Sequence, residues 1–438
     1  MHPDHHRRTD GPAPIEGPGV EADPGAQFDV GIVSLHTSPL AQPGAGDGGG
    51  MNVYVDALAR ALARAGVACT VYTRSESPEA PPRVVVAPGV VVRHLVAGPR
   101  RPLPKHALTD HVDAFADALL DAVADDGRAP GLLHANYWLS GVAAHRAKHE
   151  LGVPLAATFH TLARVKADAE AGDDDPSVRA RAEADIVRCA DLVLASTLGE
   201  VDDLVRLYDA DRSRVEVVPP GVDHRVFHPG SRSGARAALR AQGVDLGDDP
   251  VVLFVGRIQP LKGVRLAVRC LAELDDRSAR LVIVGGPSGP DGPAELAAAL
   301  DLADSCGVAD RVLVVPPRPH AQLADFYRAA DLCLVPSRSE SFGLVALEAA
   351  SCGLPVVAAS VGGLRTLVDD GITGFLVASR DPADYAAPID ALLVDPELAA
   401  RFGHDAASRS QRYSWDMAAA RLRRLYADLT ARAPVQCT

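Results

Sequence analysis

The sequence is poor in aromatic residues, which make up 4% of its 438 positions, and it holds three Met and two Trp. A core with so few rings must be built from Leu, Val and Ala, which suits stacked α/β layers and gives no support to a β-sandwich. The chain also lacks any C-x-x-C pair. Cys69, Cys189, Cys270, Cys306, Cys333, Cys352 and Cys437 stand singly, so neither a zinc knuckle nor a disulfide framework is expected, and most read as small buried residues. No run approaches the ~20 apolar residues of a membrane span, and the amino terminus lacks the apolar stretch of a secretory signal. There is no basic excess: the net charge of −13 is spread along the chain, which excludes a general affinity for nucleic-acid phosphates. Any anionic ligand must then be met by local cations. The expected location is the cytoplasm, with no membrane and no nucleic acid as partner.

The length exceeds that at which one hydrophobic core keeps growing, so two domains are expected. Residues 1–27, rich in Pro, Gly and charge with no apolar period, read as a disordered leader whose His2, His5 and His6 are solvated. From Phe28 the pattern changes. DVGIVSLH reads as a buried strand, NVYVDALARALARAG as a helix, and ACTVYTR, VVVRHLVAG, GLLHAN, PLAATFH, LVLAST and RVEVVPP as further strands. This predicts an open parallel sheet with helices on both faces, a Rossmann-like domain over 28–220. After the turn at Pro219-Pro220-Gly221 the pattern restarts with VVLFVGR, RLVIVGG, RVLVVPP, LCLVPS, PVVAAS and GFLV, a second such domain over 221–438. Its last segment, Asp384 to Leu429, reads as helical, closing the second domain and crossing back to the first. Two sheets of this kind present their carboxyl ends to one cleft, so function should sit in strand-to-helix loops.

Three of those loops carry chemistry. In HTSPLAQPGAGDGGGMNVYV, Gly44, Gly46 and Gly49 spell G-x-G-x-x-G, but eight residues separate that run from the strand end, which is wrong for a dinucleotide site. Gly48-Gly49-Gly50 before a helix instead lets backbone N–H groups approach a phosphate, and Gln42, Asp47 and Asn52 add hydrogen-bonding groups. In VGRIQPLKG, Arg257 and Lys262 follow a buried strand, where two cations can neutralise a leaving diphosphate. In ESFGLVALE, Glu340 and Glu348 offer carboxylates to sugar hydroxyls.

With these motifs, G-R-x-x-x-x-K-G and E-S-F-G-L-x-x-x-E, the chain resembles the family 4 retaining glycosyltransferases of GT-B fold over residues 28 to 430. HANYWLSG, TFHTLARVK and GGPSGP bring it nearest to the actinobacterial mycothiol-pathway branch, which moves N-acetylglucosamine from UDP-GlcNAc to 1D-myo-inositol 3-phosphate. The resemblance implies that Arg257 and Lys262 hold the diphosphate, Glu348 the ribose, Glu340 the hexose and the Arg318 backbone the uracil. It implies that Gln42, Pro43, Gly50 and Asn52 line the donor loop. His36, Asp47, Asn52, Lys105, Tyr137, Thr161 and Arg179 would surround the acceptor. His160 would stand beside the donor sugar as a catalytic residue, together with Arg257, Lys262 and Glu340. A homodimer is implied as well. No cofactor is required for the implied reaction, and an optional structural Mg2+ would lie at Tyr327, Arg328, Ala330 and Leu354.

The chain departs from that branch at Asn136, where the family usually has His, around Lys105 in GPRRPLPKHAL, and in GGLRTLV, which replaces a GGLP-type run. Alternatives therefore stay open: another cyclitol or amino-sugar acceptor, a UDP-GlcNAc 2-epimerase, or a non-catalytic sugar-nucleotide binder. No carboxylate stands where a glycosidase nucleophile would, which favours same-face substitution for a retaining transfer.

Overall fold

A computed structural model describes residues 28–44, 46, 48–168 and 176–437; the leader read over 1–27 and Asp47 lie outside them. The first sheet is formed by β1 (Asp29–Val33), β2 (Ala68–Arg74), β3 (Arg83–Ala87), β4 (Val90–Leu95), β5 (Leu132–Asn136), β6 (Leu155–Thr158), β7 (Leu192–Ala195) and β8 (Val215–Val217). Their order across the sheet is β3-β4-β2-β1-β5-β6-β7-β8. The second comprises β9 (Val251–Val255), β10 (Arg280–Val284), β11 (Val312–Val315), β12 (Leu332–Val335), β13 (Val356–Ala359) and β14 (Gly374–Val377), in the order β11-β10-β9-β12-β13-β14. The fold is GT-B: two Rossmann-like α/β domains, each with its own sheet. All strand pairs are parallel except β3 with β4, which run antiparallel. The reading of one strand there missed this hairpin. Only Pro88-Gly89 separates the two strands, a link too short for the crossover that parallel pairing needs.

Both sheets are covered on both faces, which is why their strands read as continuous apolar runs. Alternate residues of β1 and its extension point to opposite sides. Val33 and Leu35 join Phe115 and Leu119 in one core, while Val30 and Ile32 join Leu58 and Leu62 in another. Emptying a fully buried position such as Ile32 to Ala costs about 2–5 kcal/mol. Chain order reverses between β1 and β5 and between β9 and β12, so a crevice opens at the carboxyl end of each sheet at these points.

The chain passes between the sheets twice, at one place. Val222 N–H donates to Tyr413 O at 3.1 Å, and a Cβ on Gly221 would stand 2.1 Å from the Trp415 nitrogen. The second pass leads into helix Trp415–Thr430, capped by Ser414. It packs on helix Gly50–Arg64 and buries Leu422 and Tyr426 in the first domain. The tail beyond it brings Cys437 to Cys189, 248 residues earlier, with Cα atoms 5.4 Å apart. That corrects the expectation of seven unconnected cysteines: spacing along the chain says nothing about a contact made by a returning tail. Among the described residues, no helix is long and apolar enough to cross a membrane.

Candidate active site

A cleft of about 290 Å³ lies between the two sheets' carboxyl ends. Of the residues singled out in the sequence, it is lined by His36, Pro43, Gly50, Lys105, Tyr137, His160, Thr161, Arg257, Lys262, Arg318, Glu340 and Glu348.

From the first domain, the loop after β1 reaches across to the second. Gln42 donates through Nε2 to the Arg318 carbonyl at 2.6 Å and to Pro43 O at 3.2 Å. Gln42 thus ties the domains together and is not itself part of the cleft wall. Gly49 faces Arg257, whose Nε would be 2.9 Å from any Cβ there, so the glycine allows the guanidinium to approach the start of helix Gly50–Arg64. That helix has no acidic residue in its first turn to compete for its N–H groups. Asn52 differs from its expected role on the cleft. It is buried, donates through Nδ2 to Thr37 Oγ1 at 2.7 Å and to Ser38 O at 2.5 Å, and accepts from Gly49 N–H at 2.8 Å. With its amide used to fold the loop, it shapes the site from behind.

The second domain supplies charge in fixed pairs. Lys262 ends the short turn Pro260–Lys262, and Gly263 follows at φ +77° with Pro336 O 2.3 Å from where a Cβ would be. This turn aims Lys262 Nζ at Glu340 Oε2, to which it donates at 2.6 Å; Ser337 Oγ adds a contact to the same oxygen at 3.3 Å. The Glu340 backbone is itself clamped. Gly363 N–H donates to its carbonyl at 2.9 Å, and a Cβ on Gly362 would meet that carbonyl at 1.9 Å. Glu348, buried, accepts from Tyr327 Oη at 2.8 Å and lies 2.7 Å from His320 Nε2. Burial pulls the His320 pKa down, but the charge of Glu348 and the hydrogen bond to it outweigh burial and raise it above the ordinary imidazole value.

The same contacts bear on Mg2+. Tyr327 spends its hydroxyl on Glu348, and Arg328 sets its guanidinium against the carbonyls of His228 and Val226. With Ala330 and Leu354 this leaves main-chain carbonyls as the oxygen donors and no carboxylate among the four, a neutral set that would hold Mg2+ only with its waters largely retained. No step is routed through a metal.

In the first domain two of the cleft residues are instead held by strained backbone. Among described residues only Tyr137, His160 and Asp209 combine a side chain with positive φ, and Tyr137 and His160, at 75° and 60°, both sit at strand ends over the cleft. His160 Nε2 lies 2.9 Å from Asn136 Oδ1, while Asn136 Nδ2 donates to His134 O at 3.3 Å. The amide is therefore oriented to accept the His160 Nε2 proton, leaving Nδ1 as the ring's lone-pair nitrogen. Burial, reinforced slightly by His134, drives the His160 pKa down to about 3. His36, its ring tilted against that of Tyr137 with centroids 4.6 Å apart, is also held well below its usual value, by burial first and then by Lys105, His160, Arg257 and Arg179.

Arg179 stands behind this wall. Its Nε donates to Glu183 Oε1 at 2.7 Å, and its terminal nitrogen donates to Thr161 O at 2.6 Å and to Thr161 Oγ1 at 2.9 Å. The guanidinium carbon lies 4.9 Å over the Tyr137 ring. Three further residues were missed in the sequence. Lys166, in the quoted TFHTLARVK, lines the cleft; a lysine on a helix face gives no signal by itself. Asn136 was noticed only as a departure, and His320, two residues after Arg318, carries no motif.

Two cationic regions thus face one cleft: Arg257 and Lys262 from the second domain, and Lys105, Lys166 and the Arg179-backed wall from the first. A family model described as glycosyl transferase 4-like domain matches residues 49–221, and one described as glycosyl transferases group 1 matches 236–409. The chain is 48% identical over 416 residues to the D-inositol 3-phosphate glycosyltransferase of Xylanimonas cellulosilytica, covering 93% of this chain and 98% of that one. With the same-named protein of Mycolicibacterium smegmatis it shares 47% identity, over 92% and 93% of the two chains. Among solved structures it superposes on sucrose-phosphate synthase of Thermosynechococcus elongatus with a TM-score of 0.84 and 32% identity, over 92% of this chain and 100% of that one. Anabaena HepE with UDP and glucose gives 0.74 at 19%, over 92% and 100%, a likeness of fold. The chain belongs to the D-inositol 3-phosphate glycosyltransferase family and is a glycosyltransferase enzyme.

Proposed function

We propose that this enzyme transfers N-acetylglucosamine from UDP-GlcNAc to 1D-myo-inositol 3-phosphate with retention at the anomeric carbon, releasing UDP, as the first step of mycothiol biosynthesis. The observation that carries the reading is the second cationic wall. A donor diphosphate needs the Arg257 and Lys262 side of the cleft, whereas Lys105, Lys166, Tyr137 and Thr161 opposite it offer charge and hydroxyls to a separate phosphomonoester. The name borne by relatives 44–48% identical to this chain supports the same acceptor.

In this mechanism the bond between the anomeric carbon and the β-phosphate oxygen breaks as an acceptor hydroxyl oxygen bonds to the same face of that carbon. The hydroxyl proton passes to the departing β-phosphate, whose charge Arg257, Lys262 and the N–H groups at the start of helix Gly50–Arg64 stabilise. Neutral His160 puts no cation beside the oxocarbenium-like sugar. Glu340, oriented by Lys262, accepts from a hexose hydroxyl, and Glu348 is braced to accept from the ribose.

We assign acceptor binding to residues 28–220 and donor binding to 221–438, with the enzyme a cytoplasmic homodimer, which light scattering would check. A second reading, another cyclitol or amino-sugar acceptor, is favoured by one observation: Asn136, a departure from the family's usual His, is the direct partner of His160. Purified protein incubated with UDP-GlcNAc and 1D-myo-inositol 3-phosphate should release UDP and yield the GlcNAc-inositol phosphate mass, whereas unphosphorylated myo-inositol should not support turnover. Acceptor-independent UDP release, or turnover with myo-inositol equal to that with the phosphate, would overturn the reading.

A further inference from the structure

A cluster far from the cleft is unused by this chemistry. Helix Trp138–Leu151 begins at the carboxyl end of β5 and ends beside the opposite edge of the sheet. Near that far end His145 and His149, four residues apart, share one face. Cys189 closes helix Pro176–Cys189 next to them, and Cys437 arrives on the returning tail. The ligand atoms of these four residues all lie within 4.8 Å of one another. Cys437 Sγ is 3.3 Å from His145 Nε2 and 3.1 Å from His149 Nε2, and Cys189 Sγ is 3.7 Å from His149 Nε2.

We propose that His145, His149, Cys189 and Cys437 form a tetrahedral site for a borderline-soft divalent transition metal, zinc above all, which fastens the carboxyl-terminal tail to the first domain. Metal bonds of about 2.3 Å to sulfur and about 2.0 Å to nitrogen set sulfur-to-nitrogen separations of about 3.5 Å in a tetrahedron, and the observed values bracket this. The chemistry of the set agrees. Two thiolates cancel the charge of the dication, two neutral imidazoles complete it, and binding releases the two thiol protons.

The surroundings are braced as a metal site requires. Buried Lys148 donates to the Cys189 carbonyl and to Asp191 Oδ2, each at 2.8 Å. The other Asp191 oxygen accepts from the Val435 N–H at 2.5 Å, which docks the tail two residues before its cysteine. The two sulfurs stand in bonding contact, as in a disulfide; that pairing needs an oxidant and leaves the two converging imidazoles without a role, whereas a metal would hold the sulfurs apart as separate thiolates. The other five cysteines are free, so nothing else in the chain speaks for an oxidised framework.

The test uses the full-length chain, reduced with a thiol-free reductant, loaded with Zn2+, desalted, and analysed for metal. The wild type should retain one zinc per chain. Cys437→Ser and His149→Ala, both at exposed positions, should each lower zinc affinity on the order of 10²-fold or more, with far-ultraviolet circular dichroism unchanged. Co2+ in place of zinc should give the intense visible bands of tetrahedral coordination and a thiolate-to-cobalt charge-transfer band, which Cys437→Ser weakens. A reduced wild type that emerges without zinc would overturn the proposal. So would variants that keep the metal, or a Cys189 to Cys437 disulfide that persists in the reduced, zinc-loaded protein.

Discussion

His160 in the first domain and His320 in the second both line the cleft, yet burial and partners drive them in opposite directions. His160 is buried against a neutral amide with no carboxylate beside it and stays uncharged; His320 faces the Glu348 carboxylate and keeps its proton to higher pH than a free imidazole. The contrast extends to the walls around them. The second domain presents charge in directly bonded pairs on unstrained elements, Lys262 with Glu340 and His320 with Glu348. The first keeps two side chains at positive φ on strand ends and sets the Arg179 guanidinium behind Thr161. A leaving diphosphate requires charge placed before it arrives, whereas a neutral histidine beside a developing sugar cation avoids repelling it.

The largest test of this contrast is Lys262→Ala. It should lower turnover on the order of 10²–10³-fold, by the scale of removing one transition-state stabiliser, with an unchanged melting profile; UDP release measures it, and near-normal turnover would refute the role. Gly362→Ala places a Cβ against the Glu340 carbonyl and should cost about 2–3 kcal/mol of stability in urea unfolding. A stability equal to wild type would mean that the clamp on Glu340 is not rigid.

On the first-domain side, His160→Asn accommodates the positive φ while removing the ring, and should slow turnover roughly tenfold, about 1.4 kcal/mol of barrier. Because His160 titrates near 3, the shape of the pH-rate profile between pH 6 and 9 should not change. Loss of an ionisation in the variant would show that His160 is charged in the working range. The smallest effect is expected for His320→Gln. A raised folded pKa contributes stability that is complete below the unfolded value of about 6.5 and is lost as pH rises through the folded one. Wild-type stability should therefore decline above neutral pH by a component that the variant lacks, read from chemical denaturation at a series of pH values.

What the sequence disclosed follows from period and position. Buried strands such as DVGIV and VVLFV announce themselves as apolar runs, and the residues just past them, Arg257 among them, must emerge at the carboxyl edge of a sheet. The contacts that decide a side chain's state were not readable. Asn136 with His160, and Tyr327 and His320 with Glu348, join different strand ends or helices, and no local spacing encodes them. Asn52 and Gln42 show the reverse: polar residues beside a ligand loop suggested binding, but their amides are taken up in folding the loop and bridging the domains. Cys189 and Cys437 lay beyond any sequence reasoning because the tail that joins them first crosses from one domain to the other.

The paired crossing at Val222 and Tyr413 carries a mechanical consequence. Two strands of backbone running side by side, bonded to each other and too close at Gly221 to admit a side chain, behave like the spine of a book: the covers can turn about that line but resist twisting across it. Every opening stroke of the enzyme should then trace one arc, with the phosphate-facing loops farthest from the spine travelling furthest.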